Sequence, residues 1–191
     1  TINSVAPDHE GSGYLQAELG DYNLWNISGA KSVSLIEDEL AMRVTGFWME
    51  RDGTVDVVGQ SVREDDVLND RDRKGARVQF DYTPSDSLGV KLIADYAELN
   101  ETCCGVGAWI NNVEGAGGIA GTDSRIEDLG GTLLLGENFY DRKVAFSKLP
   151  VSKNEDKGVT LQVDWELDSL DLASITSYRE FNSTDSVDAD F

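Results

Sequence analysis

Residues 76–82 read Ala-Arg-Val-Gln-Phe-Asp-Tyr, and this stretch decides the fold. Its even-numbered residues are apolar or aromatic, and its odd-numbered residues are polar. A period of two places these sets on opposite faces of a β-strand, whereas a helix repeats about every 3.6 residues and would mix them. Residues 159–165 (Val-Thr-Leu-Gln-Val-Asp-Trp) repeat the pattern, and residues 90–96 do so with one break at Ile93. The sequence therefore predicts an all-β fold.

Seven strands are expected along the chain, and most of them are long. Their ranges are 13–19, 24–34, 40–51, 74–83, 89–99, 158–166 and 170–180. A strand that crosses a bilayer needs about 9–11 residues, while strands of soluble proteins typically have about five or six. These lengths favour an antiparallel up-and-down meander of about seven long strands that is a segment of a transmembrane β-barrel.

The connections between the strands alternate in length. Short polar turns are expected at 36–39, 84–87 and 168–169, and the other connections are 20–23, a stretch near 52–73 and a long one near 100–157. In a meander, successive connections lie at opposite ends of the sheet. One end, the long-loop end, therefore carries the long connections, and the other, the short-turn end, carries the turns. Outer-membrane barrels show this asymmetry, with the longer loops outside.

Six aromatic residues also suggest a membrane. They share the apolar faces of their strands: Trp25, Trp48, Tyr96 and Tyr178 toward the long-loop end, and Tyr82 and Trp165 toward the short-turn end. Tryptophan and tyrosine are enriched at both membrane–water interfaces, so we expect these residues to be membrane-interface aromatics. The alternative is that they form the core of a soluble sandwich, because aromatic residues are enriched in strands generally.

Composition excludes several classes of protein. The chain has 191 residues and a formal net charge of −20, which argues against a nucleic-acid partner because such a partner requires a basic face. No run of 18 apolar residues is present, so we expect no transmembrane helix. The first residues lack the basic and then apolar start of a signal peptide, which suggests a cytosolic chain, a processed one, or a piece of a longer protein.

Few residues suggest catalysis or cofactor binding, and we expect no enzyme, no cofactor and no metal. His9 is the only histidine and lies in a polar start. Glu64, Asp65, Asp66 and Asp70 lack the spacing of a calcium loop and are expected to be a solvated acidic loop. The glycine-rich stretch 115–121 lacks the lysine and the strand-then-helix context of a phosphate-binding loop.

The two cysteines, Cys103 and Cys104, are adjacent and so cannot form the paired motif of a zinc site. Three states remain open: free thiols, a disulfide between the two, or disulfides with cysteines elsewhere. Exposed thiols in an outer loop oxidise, whereas adjacent cysteines are geometrically difficult to join. A disulfide involving Cys103 and Cys104 is therefore one hypothesis among the three.

Several short motifs, in order along the chain, resemble TonB-dependent outer-membrane receptors. Residues 2–5 (Ile-Asn-Ser-Val) with Pro7-Asp8 resemble the segment that leads from the plug into the barrel. Residues 40–46 (Leu-Ala-Met-Arg-Val-Thr-Gly) followed by Arg51-Asp52-Gly53 resemble a barrel stretch of that family. Further weak matches in the family's order are Gly20-Asp21-Tyr22-Asn23, Leu68-Asn69-Asp70, Pro84-Ser85, residues 174–179 and residues 188–191, with Cys103-Cys104 resembling a feature of one subgroup.

The resemblance implies a plug-to-barrel junction at 1–12 and a barrel-wall segment at 13–191. No TonB box, plug or terminal aromatic strand is recognised, which implies an internal piece of a barrel of about 22 strands. It also implies an outer-membrane location in a Gram-negative bacterium and import of a scarce solute such as a ferric siderophore, a vitamin or a glycan. The implied partners are outer-membrane lipid, the rest of the receptor (plug and remaining strands) and, through the plug, the TonB complex.

Two sets of residues have expected roles. The first would line the barrel interior and hydrogen-bond plug or water rather than substrate: Arg43, Thr45, Arg77, Gln79, Asp81, Lys91, Asp95, Gln162 and Asp164. The second lies in the long connection and would contact ligand or gate the pore: Trp109, Asn111, Asn112, Phe139, Tyr140 and Arg142. The alternative function is a soluble secreted β-sandwich binding module of the glycan-binding type, and a third is a small eight-stranded pore or adhesin barrel.

Overall fold

The computed structural model describes residues 4–58, 66–104, 134 and 140–187, and within them the fold is all-β. No helix among these residues has the length and apolar character needed to cross a membrane. In chain order the strands are β1 (Gly13–Gly20), β2 (Leu24–Ile36), β3 (Leu40–Arg51), β4 (Val55–Val58), β5 (Val67–Leu68), β6 (Arg71–Ser85), β7 (Leu88–Glu101), β8 (Lys143–Ala145), β9 (Val151–Leu167) and β10 (Leu170–Ser186).

The seven long strands form one antiparallel sheet in the order β1-β2-β3-β6-β7-β9-β10. This order confirms the expected seven-stranded meander, including the short turns at 37–39, 86–87 and 168–169. The register shifts in two places, between Ser34 and Ile36 and between Tyr82 and Ser85, and both lie beside short turns. Among the described strands, β1 and β10 have no partner on their outer edges, so the sheet is open.

Two strands begin three or more residues earlier than the sequence predicts. β6 begins at Arg71 rather than 74, and β9 begins at Val151 rather than 158. The connections expected near 52–73 and 100–157 are therefore 52–70 and 102–150. Apart from Val151, the added residues are polar on both faces, so they show no alternation, yet their backbone continues the ladder of hydrogen bonds to the neighbouring strands.

A second, three-stranded sheet lies within the two long connections and was not predicted. β4 pairs antiparallel with β5 and parallel with β8. Val57, Leu68, Val144 and Phe146 form its buried apolar cluster. The strands have two to four residues and one pairing joins segments far apart in sequence, so neither periodicity nor a turn motif marks them.

Candidate functional site

The large sheet has one apolar face that is uncovered. Partners in the register place the alternating apolar residues of all seven strands on this side, which we call the apolar face. Leu15 on β1 is 81% exposed, and Leu92 near the centre of the sheet is 38% exposed. The other large exposed members are Leu19, Trp25, Val33, Ile36, Val44, Trp48, Tyr82, Tyr96, Val159, Leu161, Trp165, Leu167, Leu170, Leu172 and Tyr178. An apolar surface of this extent on a protein indicates an interaction surface.

The opposite face, which we call the polar face, contains the buried polar residues. Ser32, Arg43, Gln79 and Glu101 are all at most 6% exposed, and all four lie on this side. A soluble sandwich has the reverse arrangement, because its sheets bury their apolar faces against each other. Within the described residues no second sheet covers the apolar face, so the sheet is inverted relative to a soluble one.

The six predicted interface aromatics are all exposed and lie on the apolar face, along lines oblique to the strands. The position of each residue along the strands can be given as the β3 residue that the register places level with it. In the long-loop group, Trp25 lies level with Glu50, and Trp48 is itself a β3 residue. Tyr96 lies level with Gly46, and Tyr178 lies level with Val44. This level falls by six residues over five strand-to-strand steps. With a rise of about 3.4 Å per residue and strands about 4.8 Å apart, a line through these four aromatic residues departs by about 40° from the perpendicular to the strands. The strands are therefore tilted by the same angle from the normal to that line. The short-turn group slopes in the same direction. Trp165 lies two strands away from Tyr82 and two residues nearer the short turns.

Charged side chains follow a second line just beyond the aromatic one, toward the long-loop end. On the apolar face this charged row consists of one residue from each of β3, β6, β7, β9 and β10: Glu50, Lys74, Glu98, Lys157 and Glu180. From Glu50 to Glu180 the level falls by four residues over four steps, which corresponds to a tilt of about 35°. The apolar face therefore ends along a straight boundary that crosses the strands obliquely.

One lysine interrupts the apolar face. Lys31 pairs with Gly13 in the register, and its Nζ donates to the Gly11 carbonyl at 2.5 Å. A Cβ at Gly13 would lie 2.6 Å from the Ala30 carbonyl oxygen and 3.1 Å from the Lys31 side chain, so glycine is needed where the lysine passes over the edge strand. The ammonium thus leaves the apolar face and finds a polar partner.

Residues 4–12, which we call the N-terminal segment, cover the polar face near β2 and β3. Arg43 donates to Ser32 Oγ at 2.8 Å and to Ser12 Oγ at 3.2 Å, and it lies 3.9 Å from Asp8. The Ser32 amide donates to the Ser12 carbonyl at 2.8 Å. Hydrogen bonds from Ser12 hold the pKa of Asp8 well below its usual range. The carboxylate therefore stays ionised in mild acid, and its pairing with Arg43 persists there.

The N-terminal segment continues across the polar face to β6. Gln79 donates to the Val5 carbonyl at 3.1 Å, and Arg77 donates to Ser4 Oγ at 2.6 Å. These contacts account for the low exposure of Gln79. The lone histidine, His9, lies in the same segment and is 2.8 Å from Ser34 Oγ.

Beyond the N-terminal segment, an ionic network spans β6 to β10 on the polar face. Arg179 of β10 reaches Asp95 of β7 at 2.9 Å and Asp156 of β9 at 2.6 Å. A Cβ at Gly158 would lie 3.1 Å from the Arg179 guanidinium, so the glycine permits this crossing of β9. Arg77 lies 3.6 Å from Asp95 on the other side. The four charged residues of this network border a cavity of about 390 Å³ together with Tyr14 and Phe47.

The predicted ligand-binding residues of the long connection are only partly placed. Trp109, Asn111, Asn112 and Phe139 lie outside the described residues. Tyr140 is 79% exposed. Arg142 instead stacks over the ring of Tyr22, 6.0 Å from its centroid, and also donates to its hydroxyl. Arg142, which is also exposed, therefore joins the connection 102–150 to the connection 20–23. Its role in ligand binding stays a prediction.

Residues around Asp70 join the two long connections at their bases. The Asp70 carboxylate accepts from the Thr102 amide at 2.6 Å and from its hydroxyl at 2.7 Å. Buried Glu101 accepts two hydrogen bonds from Arg73. Glu64 and Asp65 of the acidic stretch lie outside the described residues. Where the structure describes the chain, no group of three or more His, Cys, Asp or Glu side chains is placed to hold a metal ion.

Cys103 and Cys104 follow Glu101 and Thr102 at the long-loop end, and in the structure both carry free thiols. A hydrogen bond with Cys104, together with burial, raises the pKa of Cys103 to about 11. The Cys103 thiol is therefore protonated at neutral pH and a poor nucleophile. The disulfide hypothesis stays a prediction.

Alkylation of Cys103 by iodoacetamide is expected to be slow near neutral pH. Its rate should rise about tenfold per pH unit until the pH approaches 11, because the thiolate fraction rises in that proportion. Peptide mass spectrometry after timed quenching measures the rate at each cysteine. No alkylation of either cysteine without a reductant would show that a disulfide is present.

Comparison of the chain with protein-family models, with curated proteins and with solved structures gave no match.

Proposed function

We propose that this chain is a section of the barrel wall of a TonB-dependent outer-membrane receptor that imports a scarce solute. The observation that carries the proposal is the inverted sheet. Its apolar face is exposed on all seven strands, and its buried polar residues all lie on the other face. A lipid bilayer is the environment in which this distribution lowers the free energy, because hydrocarbon then covers the apolar side chains.

The oblique boundary of the apolar face supports the same proposal. Strands of outer-membrane barrels tilt by about 35–45° from the membrane normal. The aromatic line and the charged row run at about 40° and 35° to the perpendicular of the strands. An interface that cuts tilted strands at constant depth produces such lines. The core of a soluble sandwich has no flat boundary of this kind.

In this proposal the polar face lines the barrel interior. The N-terminal segment lies on that face, as a chain leading from a plug into the barrel would. The long connections lie outside the cell and the short turns face the periplasm. Energy for import comes from the TonB complex acting through the plug, and this section contributes wall and loops without a catalytic step.

Quenching by brominated lipids tests the proposal. Single-tryptophan variants that keep Trp48, Trp165 or Trp109 are folded into vesicles. Trp48 and Trp165 should be quenched most by bromines near the headgroups, because they lie at the two ends of the apolar face. Trp109, in the long connection, is the control and should not be quenched. A protein that is monodisperse without detergent and shows no quenching is a soluble binding module, and the proposal then fails.

A further inference from the structure

The two cysteines lie side by side where β7 passes into the connection 102–150. Cys103 is half-buried, Cys104 is exposed, and both carry free thiols. A hydrogen bond joins the two thiols, so their sulfur atoms lie close together. They are the only cysteines of the chain. Any metal ion that binds thiolate sulfur in this protein must therefore bind at this pair, and the exposed Cys104 leaves it open to solvent.

The backbone that leads to the thiols is held on both sides of Thr102. Its amide donates to the Asp70 carboxylate at 2.6 Å, and its carbonyl accepts from the Asn69 amide at 2.7 Å. Glu101, one residue earlier, is only 5% exposed and ion-paired. The main chain is therefore fixed up to the residue before Cys103, and little conformational freedom is lost there when an ion binds both thiols.

The charges around the thiols favour a cation. After the hydrogen bond with Cys104 and burial, the negative charges of Glu101 and Asp185 also raise the pKa of Cys103. Asp185 accepts hydrogen bonds at 2.7 Å from two serine hydroxyls, which are neutral and leave its charge in place. A thiolate is thus unfavourable here alone, and a positive ion that binds it removes the repulsion.

We propose that Cys103 and Cys104 together bind one soft monovalent metal ion of the Cu(I) type. Two S–H bonds break, two bonds from sulfur to the metal form, and the two protons go to water. Metal–thiolate bonds are about 2.3 Å long, so two thiolates on one ion lie at most about 4.6 Å apart. Thiols that share a hydrogen bond already lie near this separation. The inference does not depend on a membrane location.

The number of ligands selects the ion. Structural zinc takes four ligands, and iron–sulfur clusters take four cysteines. Within residues 4–58, 66–104, 134 and 140–187, no group of three or more His, Cys, Asp or Glu side chains is placed to complete such a set. Thiolates are soft ligands that favour Cu(I), and a monovalent ion of this kind is satisfied by two of them.

Competition for Cu(I) with the chelator bicinchoninate, under nitrogen, tests the inference in the full chain. The cysteines are first reduced with a phosphine, which is then removed. The protein should bind one Cu(I) per monomer, and X-ray absorption should show two sulfur ligands on the copper. Cys103→Ser and Cys104→Ser should each weaken binding by more than about a hundredfold, because loss of a supporting group outside the ligands already costs about 10–100-fold.

The matched control is Met49→Leu, which removes a sulfur atom from β3 and nearly keeps the side-chain volume. It should bind Cu(I) as the wild type does. Wild-type affinity in either single cysteine variant would overturn the inference, because one thiolate would then suffice. Copper-linked dimers, tighter binding of Zn(II) than of Cu(I), or loss of binding in the Met49 variant would each overturn it as well.

Discussion

Replacing Leu92 with arginine is expected to lower the free energy of unfolding in a bilayer by about 2–4 kcal/mol. Leu92 lies on the apolar face between Phe80 and Leu161, near the middle of the band between the two aromatic groups. A guanidinium there would lie in hydrocarbon, far from both interfaces. Denaturant unfolding of the protein in lipid vesicles, followed by tryptophan fluorescence, measures the change.

Ile93→Arg is the matched control for Leu92→Arg. Ile93 is the next residue of the same strand, so its side chain points to the polar face, opposite Gln79 and Thr160. The same charge should cost much less on this side. Equal costs for the two variants, or improved solubility of Leu92→Arg in water, would mean that water rather than lipid covers the apolar face.

Replacing Arg43 with methionine is expected to release the N-terminal segment and to lower the free energy of unfolding by about 2 kcal/mol. Arg43 is 5% exposed, and its guanidinium joins β2, β3 and the N-terminal segment through Ser32, Ser12 and Asp8. Methionine keeps most of the volume but donates no hydrogen bond. Amide exchange at Ser32, whose N–H donates to Ser12, reports the release directly.

Thr45→Val is the control for Arg43→Met, because it removes a hydroxyl two residues along the same face of β3. Amide exchange at Ser32 should then stay slow. Unchanged exchange in Arg43→Met would mean that the backbone contact between Ser12 and Ser32 holds the segment without Arg43. The backbone hydrogen bond from Ser32 to Ser12, rather than the buried guanidinium of Arg43, would then hold the N-terminal segment on the sheet.

Strand positions were predictable here because one face is apolar and the other polar over most of each strand. β3 was expected at 40–51 and is observed as Leu40–Arg51. Prediction failed over the first residues of β6 and β9, where nearly every side chain on both faces is polar and periodicity carries no information. The contact of Arg142 with Tyr22 was not predictable either, because the two residues are 120 positions apart in sequence.

The sequence alone determined the seven strands, their faces, and which connections share an end. Each of these follows from a local period of two and from the alternation of turns and loops. Only the tertiary structure decided that Arg43 and Gln79 on the polar face are buried, because residues 5–12, far from them in sequence, cover them. It also decided that the aromatic residues align at about 40° to the strands, since that angle depends on register between strands.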